Sequence, residues 1–338
     1  MKALVSLFAG LVLLALVFVK GNEKNNLEVS AWVPWWREET VIASLDNQKD
    51  KLKTIMPVWY HIDPSGELIE VESQRKAEVM SRAFELGIVV MPTISNAEGI
   101  SFDPERISLL LESVGLQEKL NNSLVELAQT KGYAGWDLDW EEVREEDKER
   151  YTDYVRRLGK LFDKHGLVLS VSVHAQTGIQ NEWQGTKGQD LGALAEGADL
   201  VRIMAYDFHY SSSEPGPVTP VDKLMKVLEH SISVIPLEKL VVALPTYGYD
   251  WPEDGVGSSI QYDEAQNLVK DYKINITRDA DSKSLTGKYS KDGLMHTIWY
   301  EDGESLKYKI DKVGEFGVYQ VSLWHLGGED PNIWERLQ

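Results

Sequence analysis

The stretch GYAGWDLDWEEV, Gly132–Val143, decides both the fold and the chemistry. Asp137, Asp139 and Glu141 take every second position, and Trp136, Leu138 and Trp140 fill the gaps between them. An extended strand sends alternate side chains to opposite faces, so the three acids would stand about 7 Å apart on one face, with the bulky apolar groups on the other. Partly buried carboxylates at that spacing cannot all ionise at neutral pH. A solvated strand face has no need of large aromatics between its charges. The pattern predicts a strand whose apolar side lies under helices and whose acids point toward an enclosed axis, one of them holding a proton that it can donate. Glu141, nearest the C-terminal end of the strand, is the natural donor.

The rest of the chain supplies the enclosure. Apolar runs rich in Val, Ile, Tyr and Trp recur as EVSAWVPWW, TIMPVWYHID, IVVMPTISN, AGWDLDWEE, LVLSVSVHAQ, ADLVRIMAYDFH, KLVVALPTYGYDW and GVYQVSLWHLGGED. Between the fourth and fifth, Tyr151, Tyr154, Val155, Leu158, Leu161 and Phe162 recur at helical steps and Gly166 follows as a stop signal. Eight strands alternating with helices in a chain of this length predict an α/β fold, a (β/α)8 TIM barrel with its active site at the C-terminal ends of the strands. The interval between Leu244 and Val318 is much longer than the others, so a small α+β insertion lobe is expected at about residues 255–305, between the seventh and eighth strands.

Composition narrows the function. The chain has 338 residues, a formal net charge of −19 and no cysteine. The acidic balance disfavours nucleic acid and anionic lipid surfaces as partners, and the lack of cysteine excludes disulfides, thiolate metal sites and a thiol nucleophile. Lys2 precedes an apolar run from Ala3 to Val19, closed by Lys20 and the polar GNEKNN. Residues 1–24 therefore read as a signal peptide or an uncleaved membrane anchor, with residues 25–338 working outside the cytoplasm. Membrane contact is expected only through that segment, and the chain is expected to act as a monomer.

WDLDWE resembles the D-x-D-x-E end of the strand-four motif of glycoside hydrolase family 18, the chitinases and related N-acetylglucosaminidases. MAYD resembles that family's strand-six signature, VSLWHLGGED its last strand, and HTIWYED a segment of its insertion lobe. PVWYHIDPSGEL and YGYDW are similar to the bacterial branch that holds cell-wall and spore-germination enzymes. Two departures stand out: Ala134-Gly135 precedes the motif where the family often has Asp-Gly, and position 202 is Arg where relatives often carry an uncharged side chain.

The resemblance implies a glycosidase that cleaves β-1,4 linkages of N-acetylglucosamine-containing glycans with retention, the sugar's own acetamido group assisting. In those terms Glu141 is the acid and base, Asp139 orients the acetamido N–H, and Asp137 shares a proton with Asp139. Tyr206 bonds the acetamido carbonyl and Asp207 fixes the distorted sugar. Trp324 is the candidate floor for the sugar ring, with Tyr60, Tyr247 and Trp32 as further substrate-binding candidates and Trp35 and Trp36 as an extension of the groove. No metal or other cofactor is implied.

Two other readings follow from the residues. His61, His174, His209 and His325 all come just after strands, as in metal-dependent barrel hydrolases, although the acids gather on one strand and the first strand has no H-x-H. A non-catalytic, lectin-like glycan binder on the same scaffold is the second, and the presence of Glu141 with both aspartates and Tyr206 speaks for catalysis.

Overall fold

Each of the eight runs contains a strand: β1 (Glu28–Pro34), β2 (Leu52–Ile62), β3 (Thr93–Ser95), β4 (Gly135–Asp139), β5 (Val168–His174), β6 (Leu200–Met204), β7 (Leu240–Pro245) and β8 (Gln320–Trp324). Each pairs in parallel with the next, and β1 pairs with both β2 and β8, so the sheet closes as a (β/α)8 barrel. The computed structural model describes residues 26–48, 50–99, 101–179 and 183–337. The run read as a leader lies outside them, and among the described residues no helix is long and apolar enough to cross a membrane.

The helices form the outer layer: α1 (Glu38–Asn47), α2 (Lys76–Glu85), α3 (Pro104–Glu112), α4 (Val114–Lys131), α5 (Lys148–His165), α6 (Leu191–Gly197), α7 (Val221–Val234), then α8 (Tyr262–Tyr272) in the lobe, α9 (Gly303–Gly314) and α10 (Ile333–Arg336). The helix expected from Tyr151 to Phe162 is α5, and Gly166 ends it in the left-handed conformation at φ 66°. Its buried face meets the apolar side of β4: Trp140 stacks on Tyr154 at 5.4 Å and tilts against Tyr151 at 5.6 Å. On the other flank Trp136 donates its indole N–H to Leu124 O of α4 at 3.0 Å. These contacts hold β4 with its acids toward the axis.

The insertion is a five-stranded antiparallel sheet with α8 across it, its strands in the spatial order Ser258–Ile260, Gly248–Pro252, Leu294–Tyr300, Leu285–Lys291 and Thr277–Arg278. It has its own core of Ile260, Ala265, Ile274, Tyr289, Ile298 and Tyr300. It begins at Gly248 rather than near 255, because the run KLVVALPTYGYDW is two strands. β7 stops at Pro245, where Thr246 donates its peptide N–H to Trp324 O at 2.9 Å and its hydroxyl to His325 O at 2.7 Å. After that latch to β8 the chain turns into the lobe.

Gly135 sets the spacing of β4 against β5. A Cβ at this position would lie 2.0 Å from Val168 O, a backbone atom that cannot swing aside. Gly135→Ala is therefore expected to lower stability by roughly 2–3 kcal/mol or more in denaturant unfolding; a change below the measurement error would mean that the two strands separate freely.

Candidate active site

Inside the barrel the register places small hydroxyl residues level with the first acid. Thr93 is opposite Asp137, Asp137 opposite Ser170, Arg202 opposite Ser172, and Ser30 opposite Ser322. Asp137, fully buried, accepts hydrogen bonds from Ser170 Oγ at 2.8 Å and Ser172 Oγ at 3.1 Å on Oδ1, and from Thr93 Oγ1 at 3.0 Å and Trp32 Nε1 at 3.1 Å on Oδ2. Arg202 Nε stands 3.6 Å from its Oδ1.

Asp139 lies one step nearer the mouth, 8% exposed, with Oδ1 buried and unpartnered. Burial, and then the charge of Asp137, push its pKa up to about 8. Glu141, just past the strand, is held by its backbone: its N–H donates to Asn96 Oδ1 at 3.0 Å and its carbonyl accepts from Asn96 Nδ2 at 2.9 Å. Its carboxyl is raised well above the usual range by burial first, then by the negative charges of Asp139, Asp207 and Glu142. Burial and crowding thus push Asp139 and Glu141 both toward their neutral forms, as carboxylates in a poorly solvated enclosure require.

His174, at the end of β5, brings Nε2 to 3.2 Å from Glu141 Oε2, but burial lowers its pKa to about 4 and no aligned hydrogen bond forms. With the imidazole uncharged at neutral pH, this contact is not an ion pair. Gln189 ties the two strand ends, donating to Trp140 O at 3.1 Å and accepting from the His174 peptide N–H at 2.9 Å.

Opposite the acids, Tyr206 and Asp207 follow β6. Burial and the surrounding carboxylates raise the Tyr206 phenol well above its ordinary value, so it remains a hydroxyl donor. Asp207 has φ 55°, and its Oδ1 accepts from Tyr247 Oη at 2.6 Å and Tyr249 Oη at 2.9 Å. Much of the residue is open to the mouth, whereas its carboxyl is packed among these rings. Tyr206, Tyr247, Tyr249 and Trp251 make a continuous run of ring contacts with centroids 6.4, 5.7 and 5.3 Å apart. Trp324 closes the floor, edge-on to Trp32 at 5.8 Å and joined to His325 by a cis peptide bond.

Of the residues singled out from the sequence, Asp137, Asp139, Glu141, Tyr206, Asp207, Tyr247 and Trp324 converge on one end of the barrel. Trp32 is 1% exposed and lies beneath Trp324, so it supports the floor instead of facing a sugar. Tyr60 belongs elsewhere: a register shift between Val58 and Tyr60 turns Trp59 and Tyr60 outward, and Tyr60 packs on Trp136 at 5.0 Å and bonds Tyr133 Oη at 3.1 Å. Trp35 and Trp36 stand exposed just beyond β1, edge-on at 5.4 Å. His325 Nδ1 lies 2.9 Å from Leu326 O and His209 Nδ1 2.9 Å from Glu214 O. Among the described residues no group of three His, Cys, Asp or Glu is arranged to hold a metal ion.

Asn96, Gln189, Tyr249 and the serine layer were not singled out from the sequence. The serines and Thr93 leave a trace, since PTIS and LSVSV place small hydroxyl residues at alternate positions of otherwise apolar strands. Tyr247, Tyr249 and Trp251 alternate in the same way. Asn96 leaves none, because its role depends on a contact 45 residues away.

Comparison with known proteins gives the family. The family model described as Glycosyl hydrolases family 18 matches residues 29–329. YdhD of Bacillus subtilis, named as a sporulation-specific glycosylase, is 30% identical over 81% of this chain and 66% of its own length. The cortical fragment-lytic enzyme of the same organism is 27% identical over 73% of this chain and 59% of its own length. The chain thus spans less than two thirds of the length of these two curated relatives. Among solved structures, a chitinase from Chromobacterium violaceum superposes with TM-score 0.85 at 27% identity, covering 92% of this chain and 98% of that one. The Bacillus cereus spore cortex-lytic enzyme SleL reaches TM-score 0.85 at 23% identity over 93% and 74%, a likeness of fold.

The raised pKa of Asp139 has a consequence for stability. An aspartate in an unfolded chain titrates near 4, so the fold favours the neutral form; what this group contributes is intact below that pH and is lost as pH rises toward about 8. Asp139→Asn cannot ionise. It should gain stability relative to the wild type between pH 4 and pH 8, on the order of 1–3 kcal/mol at the upper end. Denaturant curves across that range measure the gain, and a pH-independent difference would show that Asp139 titrates like an exposed acid.

Proposed function

The chain belongs to glycosyl hydrolases family 18, and on that premise we propose that it hydrolyses β-1,4 linkages in N-acetylglucosamine-containing glycans with retention, the substrate's acetamido oxygen acting as nucleophile. The observation that carries this reading is the inward row of Asp137, Asp139 and Glu141, with Tyr206 facing it and Trp324 beneath. Burial and acidic neighbours favour the protonated form of Glu141, the form that donates to the glycosidic oxygen. As the leaving sugar departs, the acetamido oxygen closes on the anomeric carbon. Asp139 holds the acetamido N–H, and the Tyr206 hydroxyl holds its carbonyl oxygen. Asp207, fixed by Tyr247 and Tyr249, anchors the distorted ring. The Glu141 carboxylate then takes a proton from the water that opens the intermediate.

A glycan chain lies over the mouth, with a ring on the flat face of Trp324. Chitin and peptidoglycan strands both offer the required N-acetyl group, and the relatives above include enzymes named for each kind of material. The Lys2 to Lys20 segment supports a further part of the proposal, that the protein works outside the cytoplasm, secreted or held by this segment.

Glu141→Gln is expected to lower kcat on chito-oligosaccharides or purified glycan strands by about 10²–10⁴-fold while leaving substrate binding in place. Oligomers of glucosamine without the acetyl group should not be cleaved, and NMR of the first product should show the β anomer. An α product, or equal cleavage of the deacetylated oligomer, would remove the acetamido mechanism; binding without turnover in the wild type would leave a glycan-binding protein.

A further inference from the structure

Arg202 has no part in the chemistry just described, yet it is one of the largest fully buried side chains, 1% exposed and directly below the acid row. Its Nε donates to Ser170 Oγ at 2.8 Å, and its Nη1 donates to Ser30 Oγ at 2.8 Å and Ser322 Oγ at 2.5 Å. A hydroxyl that accepts from a guanidinium N–H turns its own hydrogen elsewhere. Ser170 therefore points its O–H at Asp137 Oδ1, 2.8 Å away. The cation is coupled to Asp137 twice, through Ser170 and directly at 3.6 Å.

We infer that Arg202 keeps Asp137 permanently ionised and so confines the proton of the aspartate pair to Asp139, in place of the sharing that the family resemblance implies. A carboxylate offers about four lone-pair sites. Those of Asp137 are taken by Ser170, Ser172, Thr93 and Trp32, the last a group that can only donate. No site is left to receive an O–H from Asp139, and no hydrogen bond joins the two aspartates. Asp139 Oδ1 has no partner at all. A buried cation needs an ionised partner, and a buried anion so fully solvated by donors has no use for a proton.

The groups around the pair are accounted for strand by strand. β4 and its end add Asp139 and Glu141, the end of β6 adds Asp207 and Tyr206, and α5 adds the buried Tyr151 phenol, which is held neutral by burial. The end of β5 adds His174 beside Glu141, uncharged because burial lowers its pKa to about 4; otherwise β1, β3, β5 and β8 contribute only Trp32, Thr93 and serines to this layer. Arg202 is the one cation named among these neighbours. Arg202 is thus a positioning residue: the proton on Asp139 cannot retreat to the floor, and its O–H is free to turn toward Glu141 and the acetamido group. Only this last purpose rests on the proposed glycosidase reading; the protonation pattern does not.

The test is carbon-13 NMR of the aspartate carboxyl groups in the intact protein, with Asp137→Asn and Asp139→Asn identifying the two resonances. Between pH 5 and pH 7 Asp137 should stay at the ionised position and Asp139 at the protonated one, with no joint movement. In Arg202→Met the proton should pass to Asp137, and Asp139 should shift toward the ionised position; Arg202→Lys, which keeps the charge, should retain the wild-type pattern. Two wild-type resonances that titrate together, or an unchanged pattern in Arg202→Met, overturns the inference. If Arg202→Met does not fold, the wild-type titration and Arg202→Lys still decide. A protein that shows the pattern but cleaves no glycan refutes the proposed function and leaves the proton assignment standing.

Discussion

Everything at the mouth of this barrel answers to the electrostatic cost of putting carboxylates side by side on the inner face of one strand. The cost is met differently at each depth. At the floor, hydroxyls, an indole N–H and a guanidinium replace the water that Asp137 has lost. One step up there are no such donors, and Asp139 is neutral. At the rim the Glu141 carboxyl is also pushed toward its neutral form, but it is held by its backbone, so the side chain itself stays free to move a proton. A gradient from solvated charge to available proton thus runs along five residues of sequence.

That gradient is only as good as the register of β4. A slip of one residue would send the acids into the helix layer and the indoles into the axis. Trp136 and Trp140 prevent it from outside, one bonded to a carbonyl of α4 and the other stacked on α5. The aromatic residues of the motif therefore act on catalysis without touching substrate. They fix the height at which each acid stands.

Alternation made much of this legible. Period two along β4 identified the acids and their facing, and helical steps identified α5. What alternation could not show is where the count breaks. The shift at Val58 and Tyr60 inverts the facing of Tyr60, and Pro57 just before it is the one local sign, which marks an irregular strand but not the direction in which the next ring turns. The end of β7 at Pro245 was hidden because the lobe strand that follows is equally rich in aromatics. Trp32 was recognised as belonging to the site, but depth along a strand depends on closure of the barrel, which places it under Trp324. Asn96 and Gln189 act across loops, and nothing in their local sequence reports the strand end that each one clamps.

The lobe is packed around a hydrophobic cluster separate from that of the barrel, yet its first strand supplies the Tyr249 hydroxyl that, with Tyr247, holds Asp207. The catalytic surface is thus a seam between two independently cored bodies. What joins them is a third, smaller cluster of Val218, Tyr247, Tyr249 and Trp251 packed with Tyr206, Trp299 and Trp324, so the hold on Asp207 depends on this joint and not only on either core. A change that parts this seam would release Asp207 while leaving both cores intact.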